Sequence, residues 1–135
     1  MKIGKVPESV LKRSVLKQIK TKRPEVILGA GIGEDCAAVA LGPDEVMVLS
    51  TDPITGTTAD AGRWAVIVSA NDIASSGAEV VGMLICAMLP PGITEQEIRA
   101  LMEQVESTCE ELKIQVVGGH TEITDGVTRP ILTVT

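Results

Sequence analysis

Apolar residues recur every four positions at Leu11, Val15 and Ile19, with Lys and Arg between them, which predicts a helix over 8–20 ended by Thr21–Pro24. Val26-Ile27-Leu28 is a short apolar run before a glycine-rich turn at 29–33. Residues 36–41 and 46–51 read as strands on either side of a Gly42-Pro43-Asp44-Glu45 turn, so they form a hairpin. The stretch from Pro53 to Gly62, with three Thr and two Gly, reads as an exposed loop. Residues 62–76 predict a helix that is apolar almost all round, hence buried, with Gly77 as its carboxy-terminal cap. Residues 80–89 form a continuous apolar strand ended by Pro90-Pro91-Gly92. Thr94 to Glu97 is a capping box for a helix that places Ile98, Leu101, Met102, Val105, Cys109 and Leu112 on one face. A strand at 114–117 ends at Gly118-Gly119, a turn falls at Asp125-Gly126, and a last strand runs from Val127 to Thr135.

Strands and helices mix without strict alternation. The order predicts an α+β fold with two long helices on one face of a four- to five-stranded mixed sheet. An apolar strand such as 80–89 cannot leave one face in water, so the bare sheet face needs either a further domain or a second copy. A strand running to Thr135 without cap or tail carries the expectation that the chain was cut there.

Composition narrows the function. With 135 residues, 44% hydrophobic and 22% charged, the chain suffices for one packed domain. One Trp, no Phe and no Tyr leave no aromatic platform for stacking single-stranded bases. Asn71-Asp72 interrupts the best candidate for a membrane span, and the start has no apolar signal region, so the expected location is cytoplasmic. Cys36, Cys86 and Cys109 match no zinc spacing and read as small hydrophobes. The net charge of −6 is unevenly distributed: residues 1–24 carry eight Lys/Arg against Glu8, and residues 25–135 carry four against 17 acids. The basic arm is read as a solvated helix face. Nucleic-acid binding and closure over an anion held by the acidic body are its alternatives.

No G-x-x-x-x-G-K-[ST] motif is present. Gly29-x-Gly31-x-Gly33 falls short of a dinucleotide fingerprint, because Glu34 stands at the third glycine and a strand follows. A single histidine, His120, makes no convincing Ser-His-Asp set. What the chain does have is acids at the ends of apolar elements: Asp35 after the glycine turn, Asp52 after VMVLST, and Glu122 after Gly118-Gly119. Asn71 and Asp72 lie inside the apolar helix, where each polar group costs roughly 2–7 kcal/mol unless partnered. A hydrogen-bond network or a hard divalent cation would partner them. Carboxylates beside a polyphosphate repel, by about 4 kcal/mol for two charges 4 Å apart at an effective dielectric near 20. Magnesium bridging both would relieve this, and the glycine turns would let backbone N–H groups approach phosphate oxygens.

The segments GIGEDCAAV (31–39), LSTDPITG (49–56), SANDIASSGAEVVGM (69–83) and VVGGHTEIT (116–124) resemble, in order and spacing, four signatures of the aminoimidazole ribonucleotide synthase superfamily. The likeness is greatest to archaeal-type synthase-related and hydrogenase-maturation-factor-like members. It implies an ATP-dependent enzyme that activates an amide- or acid-type oxygen of a small substrate, in ligase or transferase chemistry, as a homodimer joined through its sheet. By position, Asp35, Asp52 and Asp72 would hold magnesium or stand close behind it. Gly31, Gly33, Thr51, Asn71, Gly118, Gly119 and Thr121 would line the ATP site. The arm around Lys2 and Lys5 would close over the nucleotide. Relatives place an acid after the glycine pair, whereas this chain has His120, a poor magnesium ligand. That leaves one metal site either lost or served by Glu122. The resemblance divides the chain into a basic arm and helix (1–24) and an ATP-binding and dimerisation domain (25–135), with the family's carboxy-terminal domain absent. A non-catalytic dimerisation or regulatory module of the same fold is the alternative reading.

Overall fold

The computed structural model describes residues 3–57 and 59–135, and Lys2 of the arm lies outside them. The chain divides into two compact units, Met1–Leu49 and Ser50–Thr135.

In the first unit, one α-helical turn at Glu8–Val10 (α1) runs into a π turn at Leu11–Val15 and a 3-10 turn at Leu16–Gln18. The helix predicted over 8–20 is thus shorter and irregular. Its polar positions after Glu8 are all basic or neutral, so Glu8 with Lys12 is the one acid-base pair a turn apart, and the like charges Arg13 and Lys17 oppose it. The run Val26–Leu28 is a strand (β1), and Ala37–Ala40 (β2) and Val46–Leu49 (β3) follow it. They form an antiparallel sheet in the order β1-β2-β3. The predicted hairpin is present, with Ala37 opposite Leu49 and Ala40 opposite Val46. The Leu41 N–H closes its turn on the Glu45 carbonyl at 2.9 Å. None of this unit's described residues is buried.

The second unit contains β4 (Asp52–Ile54), α2 (Ala61–Ser75), β5 (Gly82–Leu89), α3 (Glu95–Leu112), β6 (Gln115–Ile123) and β7 (Ile131–Val134). Its sheet order is β4-β7-β5-β6. β5 and β6 are parallel, with α3 as their crossover, and the other pairings are antiparallel. The fold is therefore mixed α+β. α2 packs on α3, and the two helices contact β4, β6 and β7. The core gathers Ala65, Val66, Leu89, Val105, Leu132 and Val134, all fully buried. Burying each larger aliphatic side chain contributes about 1.5–3 kcal/mol. Both halves of the capping box form: Thr94 Oγ1 accepts from the Glu97 N–H at 3.2 Å, and the Thr94 N–H donates to the Glu97 carboxylate at 2.7 Å. Gly77, with φ +82°, ends α2 as predicted.

Several expectations are corrected. The strands make two sheets, one of three and one of four strands, rather than one. The loop expected from Pro53 contains β4, because pairing with β7 supplies the ladder that its Thr- and Gly-rich composition did not signal. Gly118 and Gly119 do not end a strand but lie within β6. A register shift falls between Met83 and Leu84, opposite Val116 and Gly118. A Cβ on Gly119 would collide with the backbone carbonyl of Ile85, so close strand approach explains that glycine. The last strand starts at Ile131, not Val127. α2 is buried on one side only: Ala65, Val66, Ser69 and Ala70 face the core, while Trp64 is 48% exposed and Asn71 is exposed. Leu112, at the end of α3, is also exposed rather than packed.

Alternation along β5 turns Met83, Ile85, Ala87 and Leu89 to the buried side and leaves Leu84, Cys86 and Met88 less covered. Leu84 is 48% exposed and Val117 on β6 is 58% exposed. Cys109 is buried, and that burial, with the Glu106 charge, pushes its thiol pKa up. The sulfur is therefore an inert packing group.

Candidate functional site

Asp52 opens β4 and pairs with Val134 of β7. Val134 in turn faces Ile85 of β5, and Ile85 faces Gly119 of β6. One row thus crosses the whole sheet from Asp52 to Gly119. Val134 and Ile85 in that row are buried, so Asp52 starts on the helix-covered side, where it is half-buried.

Asp72 reaches the same end of the unit from the last turn of α2. The buried Ser50 hydroxyl donates to Asp72 Oδ2 at 3.1 Å. Two residues of chain span at most about 7 Å, so this bond holds the Asp72 carboxylate in the neighbourhood of Asp52. The adjacent Thr51 hydroxyl is 3.0 Å from that of Thr135 beyond β7, which fixes the entry to β4 from its other side. Farther along the chain, Arg129 donates to the Thr55 carbonyl at 2.6 Å and secures the segment after β4. Ser50 is a partner of the candidate site residue Asp72 that residue-by-residue reading passed over. Its signal was its place in the LSTDPITG segment, two positions before Asp52.

Asn71 is exposed, so the cost of burying it does not arise. Asp72 is half-buried and bonded to Ser50, so its place in α2 has a structural partner.

The residues around Gly118 occupy the opposite edge of the sheet. β4 and β6 are separated by three strand spacings, about 14 Å. Glu122 lies three registers beyond Gly119, opposite Met88. Within one chain, Glu122 and Asp52 therefore cannot share a single ion. Glu122 instead meets His120, whose Nε2 is 3.1 Å from its Oε2, and both side chains are exposed. Thr121 stands opposite Ala87 on the same edge strand. Among the described residues, no three His, Cys, Asp or Glu side chains gather closely enough to hold a metal ion. Two carboxylates are nevertheless enough for magnesium, which is commonly held by one or two carboxylates, water and substrate phosphate oxygens.

Asp35, Gly31 and Gly33 belong to the first unit. Gly33 has φ +78°, a conformation that favours glycine. Asp35 is exposed just before β2.

A four-stranded mixed sheet backed by two helices, with paired acids at one end, defines a class of α+β domain. Residues 33–135 match the model of the family AIR synthase related protein, N-terminal domain. The chain belongs to that family. A relative from Methanocaldococcus jannaschii, named for hydrogenase expression and formation, is 25% identical over 92% of this chain and 38% of its own length. Selenide, water dikinase of Burkholderia ambifaria is 30% identical over 72% of this chain and 28% of its own. The chain thus spans less than two fifths of these relatives. Among solved structures, the Aquifex aeolicus thiamine monophosphate kinase complexed with AMPPCP and TMP has a TM-score of 0.64 at 24% identity, covering 76% of this chain and 34% of that one. Hydrogenase maturation protein HypE in complex with ATP has a TM-score of 0.58 at 20% identity, covering 63% and 28%. These two likenesses show the shared fold. Among the described residues, no helix is long and apolar enough to cross a membrane.

Proposed function

We propose that this chain is the ATP-handling part of an AIR synthase-related enzyme, acting in the cytoplasm on a small substrate with an amide- or acid-type oxygen. The observation that carries the reading is the Ser50–Asp72 bond, which fastens one carboxylate beside the strand that begins with Asp52. Family membership and nucleotide-bound neighbours of the same fold support it.

In this reading Asp52 and Asp72 present oxygen ligands to magnesium, which suits a hard cation. Magnesium, when bound, would neutralise phosphate charge and join the acids to the nucleotide. Ser50 holds Asp72 in place, and Thr51 keeps the start of β4 against the end of β7. Catalysis would then consist mainly of positioning and charge neutralisation at the phosphates. Asp35, Gly31 and Gly33, in the first unit, keep the metal- and nucleotide-binding roles that the motif resemblance implies. Gly118, Gly119, Thr121 and Glu122 are assigned to its far end or to a second ion.

We also infer a homodimer. Leu84 and Val117 on the open sheet face, and Val26, Ile27, Leu28 and Met47 in the first unit, are exposed apolar residues on regular strands. A second copy is the cover that exposed apolar strand positions in each unit call for.

Calorimetry with Mg-ATP tests the central reading. Heat that depends on magnesium and is lost in Asp72→Asn supports it. No heat at millimolar nucleotide removes it and leaves the non-catalytic dimerisation module, which His120 in place of an acid already favours.

A further inference from the structure

His120 and Glu122 stand two positions apart on β6, so alternation turns both side chains to one face of the strand. Their functional atoms converge, with His120 Nε2 3.1 Å from Glu122 Oε2. The register shift opposite Met83 and Leu84 sets which face this is. It pairs His120 with Cys86 and Glu122 with Met88, on the less covered side of β5. The two side chains are 65% and 48% exposed, so an ion from solvent can reach both. Among the described residues, no Lys or Arg forms an ion pair with Glu122. A hydrogen bond alone would also hold the pair, but between exposed groups it stabilises the fold little. Two donors 3.1 Å apart, each about 2.1 Å from an ion, subtend about 95° at that ion. That angle lies between the octahedral and tetrahedral values, and a regular strand rather than a loop holds the pair.

We propose that His120 and Glu122 are a two-residue seat for a first-row transition-metal dication, which this place prefers to magnesium. An imidazole nitrogen beside a carboxylate oxygen suits ions such as Co2+ and Zn2+, whereas magnesium takes oxygen. Among the described residues, no third His, Cys, Asp or Glu joins the pair. The protein therefore fills two positions around the ion and leaves the others to water or to oxygens of a ligand. That a nucleotide phosphate takes one of them rests on the reading above. The seat itself does not.

His120 is the single histidine of the chain, so its imidazole signals in a proton NMR spectrum identify themselves. Co2+ titrated into the whole chain, free of any histidine tag and without nucleotide, should shift or broaden them. The same concentration of Mg2+ should leave them in place. Calorimetric Co2+ affinity should fall about tenfold or more in His120→Ala and in Glu122→Gln. Both side chains are exposed, so these variants should fold as the parent does. His120→Asp should lower the ratio of Co2+ to Mg2+ affinity by about as much, because it replaces nitrogen with oxygen. Imidazole signals unmoved by Co2+, or unchanged Co2+ affinity in either single variant, overturns the proposal and leaves a surface hydrogen bond. A loss in Cys86→Ser as large as that in His120→Ala, with Glu122→Gln unchanged, overturns it in favour of a thiol site. Parallel Mg-ATP titrations keep the two readings apart. Heat with Mg-ATP but no Co2+ binding defeats the seat alone, and the reverse defeats the nucleotide reading alone.

Discussion

Ser50 and Asp72 lie 22 positions apart in the chain, and the Ser50 hydroxyl bonds the Asp72 carboxylate at 3.1 Å. The bond joins the end of a helix to the approach of an edge strand, and it sets where the acid stands before any ligand arrives. Substituting Asp72 with Asn keeps the shape and an oxygen acceptor but removes the charge. Mg-ATP affinity is expected to fall by about 10- to 100-fold, the equivalent of one charged contact, with unchanged far-ultraviolet dichroism. Ser50→Ala should produce a smaller loss in the same direction, because it removes one hold on the carboxylate without removing the carboxylate. Equal nucleotide affinity in Asp72→Asn and the unaltered chain would show that Asp72 serves the fold alone.

The Ser69 hydroxyl is buried without a hydrogen-bond partner among the described residues. Its side chain is 4% exposed on the core side of α2. A buried unsatisfied hydroxyl costs about 1–3 kcal/mol, and alanine is also the better helix former. Ser69→Ala is therefore expected to raise the thermal midpoint by several degrees, roughly 4–8 °C per kcal/mol for a unit of this size. A lower midpoint would mean that the hydroxyl has a partner when the protein is in solution.

Helices α2 and α3 approach so closely at Gly62 that a Cβ there would come 2.5 Å from the Leu101 carbonyl oxygen. The Gly62 N–H also donates to Gln104 Oε1 at 3.1 Å. Gly62→Ala is helix-favouring by about 1 kcal/mol, but overpacking of about 1–3 kcal/mol opposes it. Because the clash is with backbone, the second effect should win. Urea denaturation should show a lower midpoint.

The Thr94 backbone N–H, followed by its hydroxyl, holds the Glu97 carboxyl below the ordinary carboxylate range. A lowered folded-state pKa means that ionised Glu97 stabilises the fold above its unfolded value, and that this contribution fades as pH falls through the folded value. Glu97→Gln should therefore be less stable than the parent at neutral pH, and the two should converge in acid. Thermal melts from pH 7 down to the acid limit of folding check this. A gap independent of pH would assign the effect to geometry alone.

Covering of the sheet can be tested without nucleotide. Leu84→Glu places a charge on an exposed strand position, where a monomer tolerates it and an interface does not. The parent chain is expected to sediment as a dimer at micromolar concentration and the variant as a monomer. A monomeric parent contradicts the inferred homodimer.

Local chemistry made much of this legible in the sequence. The capping box from Thr94 to Glu97, the turn at 42–45, the Gly77 stop and the apolar run at 80–89 each specify their own conformation through neighbours a few residues away. The four motif segments likewise pointed to the family that residues 33–135 match. Non-local pairing was not legible. β4 exists because residues 52–54 find β7 about 80 positions later, and nothing in DPI alone requires a strand. Gly118-Gly119 looked like a turn because glycine permits one. The proximity of the Ile85 carbonyl, which only the assembled β5–β6 pair creates, shows that the glycines serve a strand. Helix periodicity could not tell which side of the almost wholly apolar α2 faces the core, so the exposure of Asn71 and the Ser50 partner of Asp72 were decided by packing. Sequence determined the elements whose energy comes from adjacent residues. Tertiary structure decided the pairings and the companionship of the acids, because those energies arise only when distant segments meet.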